Sequence, residues 1–223
     1  MGLERAAIVE TALRLLNETG LDGLTLRRLA AELDVRAPAL YWHFANKQEL
    51  LDAMAARMAA GMRAVDGGGG WREALRGFAR GLRATLNAYR DGARLAAGTR
   101  PSPELFASTE RSVAALESAG FPAADAVQAM ITLSGYVGGF VLEEQSDRTR
   151  PDAGDGPPDL AEFARAYPRL AAGLAAIGDP QGERSFDRGL ELILDGLELR
   201  LRSYATREAG ADQVSQAEGE TAR

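Results

Sequence analysis

The stretch 21-LDGLTLRRLAAELDVRAPALYWHFANKQELL-51 decides how the whole chain is read. Thr25 stands where a helix N-cap belongs, and the apolar spacing after it predicts a short helix near 26–32. "LDVR" makes a tight break. A second short helix is expected from Arg36–Pro38 to about His43, because proline is tolerated in a first turn. Asn46 followed by Glu49 is a capping-box pattern that starts a longer helix running to about Met62. Two short helices joined by a tight turn make a helix-turn-helix, whose second helix can enter the major groove of DNA. On pattern alone this is shared with many helix pairs that bind nothing.

The only histidine and the only lysine of the chain, His43 and Lys47, lie in this stretch, and all other basic residues are arginine. Lys47 falls in the first turn of its helix, where the macrodipole disfavours a cation. A phosphate bound at the same helix end would offset that penalty. The alternative is a lysine extended into water. His43 could donate to a phosphate or be an ordinary packed or surface residue, and Tyr41 could likewise donate through its hydroxyl. Trp42 and Phe44 read as packing residues. Base reading would fall to Arg36, Ala37, Pro38, Ala39 and Tyr41, with Arg36 suited to guanine and the three small side chains to thymine methyl groups.

Working outward, the chain has 223 residues, 46% of them hydrophobic and only 6% aromatic, a mix that can bury a sizeable core and favours helix over sheet. It contains no cysteine, which excludes a disulfide framework and thiolate chemistry. The amphipathic N-terminus "MGLERAAIVE" is not a signal peptide. No run of consecutive apolar residues approaches the ~18 of a membrane span. A soluble cytoplasmic protein with no membrane contact is expected. The net charge is −6, and residues 1–60 carry seven basic and eight acidic side chains, short of the usual basic footprint of a nucleic-acid binder. The signs are segregated, however: Glu4, Glu10 and Glu18 sit on the first helix, and Arg27, Arg28, Arg36 and Lys47 in or beside the helix-turn-helix.

Residues 4–19 read as an amphipathic helix (Ile8, Ala12, Leu15, Leu16, Thr19) stopped by Gly20. "VDGGGG" at 65–70 is a break and the expected domain boundary. Trp71, Leu75, Phe78, Leu82 and Leu86 then share a narrow helical arc. Arg72, Arg76, Arg80 and Arg83 lie roughly opposite and read as a solvated face, a binding stripe being the rarer alternative. Another helix is expected near 104–119. The segment 124–145 reads as a long, weakly polar helix whose Ser134, Gly135, Gly138 and Gly139 suit close approach of a second helix. Residues 146–160 form a polar, Pro/Gly-rich loop. A last strong helix carries Phe186, Leu190, Ile193, Leu194, Leu197 and Leu201, and from 205 the polar tail reads as disordered. The expected division is 1–46 for DNA binding, 47–64 as a connecting helix, 71–204 as a ligand-binding and dimerisation domain, and 205–223 as tail. The apolar faces of 124–145 and 186–202 would serve a two-fold dimer or, alternatively, fill a monomer core.

"GLDGLTLRRLAAELDVRAPALYWHFANKQELLDAMA" (20–55) resembles the DNA-binding domain of the tetracycline-repressor (TetR) family throughout, and its "LYWHF.NK..LL" portion is highly specific. "YRDGARLAAGTRP" (89–101), "GYVGGFVLEEQ" (135–145) and "SFDRGLELILDGLELRL" (185–201) extend the likeness over most of residues 3–203, weakly at 146–184. The resemblance implies an all-α fold: an N-terminal three-helix helix-turn-helix domain plus a larger helical ligand-binding and dimerisation core that pairs through a four-helix bundle. It adds Arg27, which matches a DNA-contacting arginine of the family. Ala37 and Ala39 stand where tetracycline-binding members carry hydrogen-bonding side chains, so a different operator is implied.

Positions matching pocket-lining ones are Phe78, Leu82, Thr99, Arg100, Pro101, Thr109, Ser112, Val127, Met130 and Ser134, with Glu143 near the subunit boundary. Ala96 stands where tetracycline-binding members carry the histidine that anchors a magnesium chelate, and Phe78 where they carry a drug-contacting asparagine. No cofactor and no metal are expected, and the effector should be a bulky, largely apolar molecule, aromatic or polycyclic, rather than tetracycline. The expected function is a dimeric repressor on double-stranded operator DNA, released by that small molecule. Two other readings stand beside it: a DNA-binding regulator without small-molecule control, and a helical enzyme. The enzyme lacks a core histidine, a cysteine and a Gly-rich phosphate loop.

Overall fold

The structure, a computed structural model, describes residues 4–62, 69–149 and 160–221. Among these there are eleven helices and no strand: α1 (Arg5–Gly23), α2 (Leu26–Glu32), α3 (Ala37–Tyr41), α4 (Lys47–Ala59), α5 (Trp71–Asn87), α6 (Gly92–Ala97), α7 (Pro103–Ser118), α8 (Ala123–Thr149), α9 (Leu160–Ala166), α10 (Pro168–Ile177) and α11 (Glu183–Thr221). The all-α class is as expected.

Local chemistry sets the small domain. α1 breaks at Gly20, whose φ of 70° is in the left-handed region. Thr25 caps α2 by accepting the Arg28 N–H at 3.2 Å. In the turn after α2, Asp34 takes φ 52°, which aspartate tolerates, and the Val35 N–H closes onto the Ala30 carbonyl at 2.9 Å. Pro38 lies in the first turn of α3. Asn46 caps α4 by accepting the Glu49 N–H at 2.9 Å, while the Glu49 carboxylate accepts the Ala45 N–H at 2.8 Å. Ile8, Ala12, Leu16, Leu29, Leu40, Phe44, Leu50 and Met54 are buried together beneath these helices.

The larger domain packs α5 against α8 and α7 against α8, with α6 wedged at the α5–α8 corner and α11 along α5 and α8. Gly92, at the start of α6, is required there, because a Cβ would run into the Leu86 carbonyl oxygen. The buried Gln145 of α8 holds the same corner: its amide donates to the Leu86 and Tyr89 carbonyls, both at 3.0 Å, and its oxygen accepts the Ala93 N–H at 3.2 Å.

Several expectations are corrected. The arginine stripe is solvated only at Arg80; acidic residues of α11 cover Arg72 and Arg76. Arg72 pairs with Glu191 at 2.6 Å and Glu198 at 3.0 Å, Arg76 with Glu191 at 2.7 Å, and Arg80 with Asp187 at 3.1 Å. Arg83 turns inward to Glu144 of α8. α4 ends at Ala59 instead of Met62, and α8 runs to Thr149 into the expected loop. The tail does not begin at 205, for α11 continues to Thr221 on a backbone rich in alanine, glutamate and glutamine, which are good helix formers. Most of the break at 65–70 and of the loop at 146–160 lies outside the described residues.

α8 holds no unbroken apolar run of ~18 residues, as read, yet its overall composition is apolar. Over Ala123–Ser146 its mean hydropathy reaches 1.2, long and apolar enough by composition to cross a membrane. One side of it, including Ala126, Leu133, Val137 and Val141, is buried in the core.

The α5–α11 seam is acid-sensitive. Hydrogen bonds from Arg72 first, and from Arg76, hold the Glu191 carboxyl below the usual carboxylate range, against an opposing effect of burial. A carboxyl depressed in the folded state stabilises fully above its unfolded value of about 4.3 and loses that contribution as pH falls through the folded value. Melting temperature is therefore expected to drop between neutral pH and pH of about 3.5, and to drop less in Glu191→Gln, as followed by circular dichroism.

Candidate nucleic-acid interface and effector cavity

α3 and its flanks form one exposed edge. Arg36 and Pro38 are exposed at its start, and Tyr41 is exposed at its end. Ala37, Ala39, His43 and Lys47 are half-buried along the same edge. Arg27 is exposed on α2, which packs against α3. Lys47 is the first residue of α4, beside the helix N-terminus, and so occupies the anion-favouring position expected of it.

Trp42 and Phe44, both expected to pack, part company. Phe44 is 2% exposed in the core, whereas Trp42 is 90% exposed. An indole that open to water gains nothing from the fold, so it joins the surface available to a partner. Spacing could not separate the two, because α3 ends at Tyr41, just before them, and the chain turns.

Arg5 is a functional support that the sequence reading missed. Its guanidinium donates to the His43 carbonyl at 2.7 Å and pairs with Glu49 at 3.0 Å. It also lies 4.3 Å from the centre of the Phe44 ring. The Ala45 N–H and then Arg5 hold the Glu49 carboxyl below its usual range, which keeps it an acceptor at the α3–α4 corner. No local signal marks Arg5, because its partners are 38 to 44 residues away.

Among the described residues, hydrogen bonds join the small domain and α4 to the core at several points, including one from the Arg90 guanidinium to the Glu18 carbonyl at 3.2 Å. The Leu21 N–H donates to Asp91 at 2.7 Å and the Arg90 N–H to Asn17 at 2.9 Å. Gln48 donates to the Gly98 carbonyl at 2.9 Å, and the Arg100 N–H donates to Asp52 at 3.2 Å. An Arg94–Asp22 ion pair at 3.1 Å reinforces the same joint.

A cavity of about 370 Å³ opens where α4, α5, α7 and α8 meet. Phe78, Thr109, Ser112, Val127, Met130 and Ser134 line it, all six of them pocket candidates from the sequence. The other six candidates lie outside its wall. Leu82 packs against the core, and Ala96, Arg100, Pro101 and Glu143 are exposed. The Thr99 hydroxyl donates to the Ala96 carbonyl at 3.0 Å. The wall also includes Ala56, Ala59, Ala60 and Met62 from the connecting segment, which the sequence reading missed because small alanines carry no chemical signal. α4 thus runs from Lys47 at the exposed edge to the cavity wall.

Among the described residues the wall offers a magnesium chelate no histidine and one carboxylate, Glu104, so nearly all of the six oxygens that Mg²⁺ takes would have to come from ligand and water. Nor is any group of three or more His, Cys, Asp or Glu side chains among the described residues placed to hold a metal ion.

Residues 8–54 match the profile of bacterial regulatory proteins of the tetR family, and residues 64–201 match that of the tetracyclin repressor-like C-terminal domain. The tetracycline repressor protein class A from transposon 1721 of Escherichia coli is 44% identical over 204 residues, covering 89% of this chain and 92% of that protein. The crystal structure of a possible TetR family transcriptional regulator from Streptomyces coelicolor A3(2) superposes with a TM-score of 0.78 at 44% identity, covering 88% of this chain and 99% of the other. BioQ with its double-stranded DNA operator superposes with a TM-score of 0.65 at 33% identity, covering 87% and 98%. The chain belongs to the tetR family of bacterial regulatory proteins and is a ligand-responsive, DNA-binding transcriptional repressor, not an enzyme.

Proposed function

We propose that two copies of the chain clasp a palindromic operator in the cytoplasm, each laying α3 into one of two successive major grooves. Arg27, Arg36, Ala37, Pro38, Ala39 and Tyr41 face the bases, with His43 and Lys47 on the phosphates. A bulky, largely apolar molecule, aromatic or polycyclic and carried without magnesium, enters the cavity and releases the DNA. The observation that carries this reading is α4, whose first residue lies beside the recognition helix and whose last turns wall the cavity. Thirteen residues at 1.5 Å each make a lever about 20 Å long. A ligand that binds better when α4 is displaced shifts the population toward a form whose two recognition helices no longer match half-sites about 34 Å apart.

Dimerisation has its own support. Leu142 of α8 and Leu192 and Leu199 of α11 point outward uncovered, and a Cβ on Gly135, Gly138 or Gly139 would meet nothing within 4 Å. That is room for a second helix, and an isologous pairing suits a palindrome. An operator gel shift titrated with aromatic polycycles, with and without magnesium, tests the proposal. Absence of DNA binding, or of release by any compound, would sink it; release only with magnesium would overturn the metal-free effector. Lys47→Ala is expected to lower the slope of log K against log salt by about 0.9 per lost phosphate contact, hence about 2 for a dimer, with sequence preference unchanged.

A further inference from the structure

Resting on the reading of the cavity as the effector site, we infer that it selects a hydrogen-bond-donating, positively charged ligand, a planar aromatic amine in its protonated form, with Glu104 as the counter-charge. The apolar wall (Ala56, Ala59, Met62, Phe78, Met130, Ile131) sets only bulk and flatness. The polar edge sets the sign. It comprises Ser102, Glu104, Ser108, Thr109, Ser112 and Ser134, and Glu104 is its one charged side chain among the described residues.

Two hydroxyl donors along this edge are already engaged. The Thr109 hydroxyl donates to the Leu105 carbonyl at 2.9 Å, so its oxygen offers a ligand its lone pairs, and the Ser112 hydroxyl donates to the Ser108 carbonyl at 3.1 Å. The N-terminus of α7 would otherwise present free N–H groups to an anion. Its Leu105 N–H is taken by Ser102 at 3.3 Å. The Glu104 N–H bonds its own carboxylate, which with the Ser102 hydroxyl holds that carboxyl below the usual range and ionised at neutral pH. Glu104 forms no ion pair among the described residues. A ligand carboxylate or phosphate would face acceptors and a negative charge. A protonated amine would find the exposed Glu104 carboxylate and, in the same wall, the aromatic ring of Phe78.

The test is calorimetric titration of the full chain, without DNA because acridines intercalate, using three compounds of one shape: 9-aminoacridine (a cation), acridine (neutral) and acridine-9-carboxylate (an anion). Because Glu104 is solvent-exposed, the cation is expected to bind about fivefold tighter than the neutral compound, with the anion weakest. Glu104→Gln should erase the advantage of the cation and leave the affinity for acridine unchanged. The charge inference falls if the anion binds as well as acridine, or if Glu104→Gln preserves the gap. In either case, loss of all binding in the cavity-filling variant Ala59→Phe would leave the effector-cavity reading standing. If no compound binds the unmodified chain, or Ala59→Phe changes nothing, both fall.

Discussion

Operator binding is expected to vanish in Phe44→Ala at physiological temperature, while the core domain stays folded. Phe44 is 2% exposed and sits where α1, α3 and α4 converge. Truncating a buried phenylalanine costs about 3–5 kcal/mol. A domain of this size has a total stability near the lower end of the usual 5–15 kcal/mol, so the loss is nearly the whole of it. The variant also removes the ring beneath Arg5, which donates to the His43 carbonyl and so fixes the end of the recognition helix. Limited proteolysis should cut before residue 62 and spare the core, and a gel shift should show no complex. Trp42→Ala is the control: 90% exposed, it should leave the melting transition in place and weaken only DNA binding. Normal operator affinity in Phe44→Ala would mean that the recognition helix is held by something else.

The second large effect belongs to Arg83→Ala. This arginine is 18% exposed, donates to both carboxylate oxygens of Glu144 and lies 4.6 Å from the Phe186 ring centre and 5.4 Å from that of Phe140. Its partner is 6% exposed and also accepts from Asn87 at 2.8 Å. Removing one member of such a buried, hydrogen-bonded pair costs about 3–5 kcal/mol. Arg83→Leu with Glu144→Leu should recover more than half of that, because neither charge is then buried. Arg80→Ala, at an exposed pair with Asp187, should cost at most about 1 kcal/mol. Denaturant melts at one fixed protein concentration measure all three, since a dimer's stability depends on concentration. Equal losses for Arg80 and Arg83 would refute the distinction.

What the sequence made legible was whatever is decided within a few residues. Thr25 and Asn46 mark helix starts through bonds to neighbours three positions away, Pro38 through its fixed φ in a first turn, and the helix-turn-helix followed from them. The apolar arc of α5 was equally local. Arg5 was invisible because its three partners are brought near only by folding. The charges of Arg72 and Arg76 looked solvated because Glu191 and Glu198 are more than a hundred residues away. Half of the candidate pocket residues came together at the cavity, and its α4 wall did not declare itself, because alanine signals helix and nothing more. The polarity of the segment after 205 suggested disorder, yet polarity and helix propensity are separate properties: glutamate and glutamine are polar and, like alanine, good helix formers.

The joint between the domains has one further consequence. Apart from the Arg94–Asp22 ion pair, its hydrogen bonds among the described residues each pair a side chain on one side with a main-chain group on the other: Asp91 with the Leu21 N–H, Asn17 with the Arg90 N–H, Gln48 with the Gly98 carbonyl, Asp52 with the Arg100 N–H, and the Arg90 guanidinium with the Glu18 carbonyl. Main-chain groups survive most substitutions, and none of these bonds uses residues 36–41. The reading head can therefore diverge, or be exchanged for that of a relative by engineering, while the mechanical connection to the sensor is inherited intact.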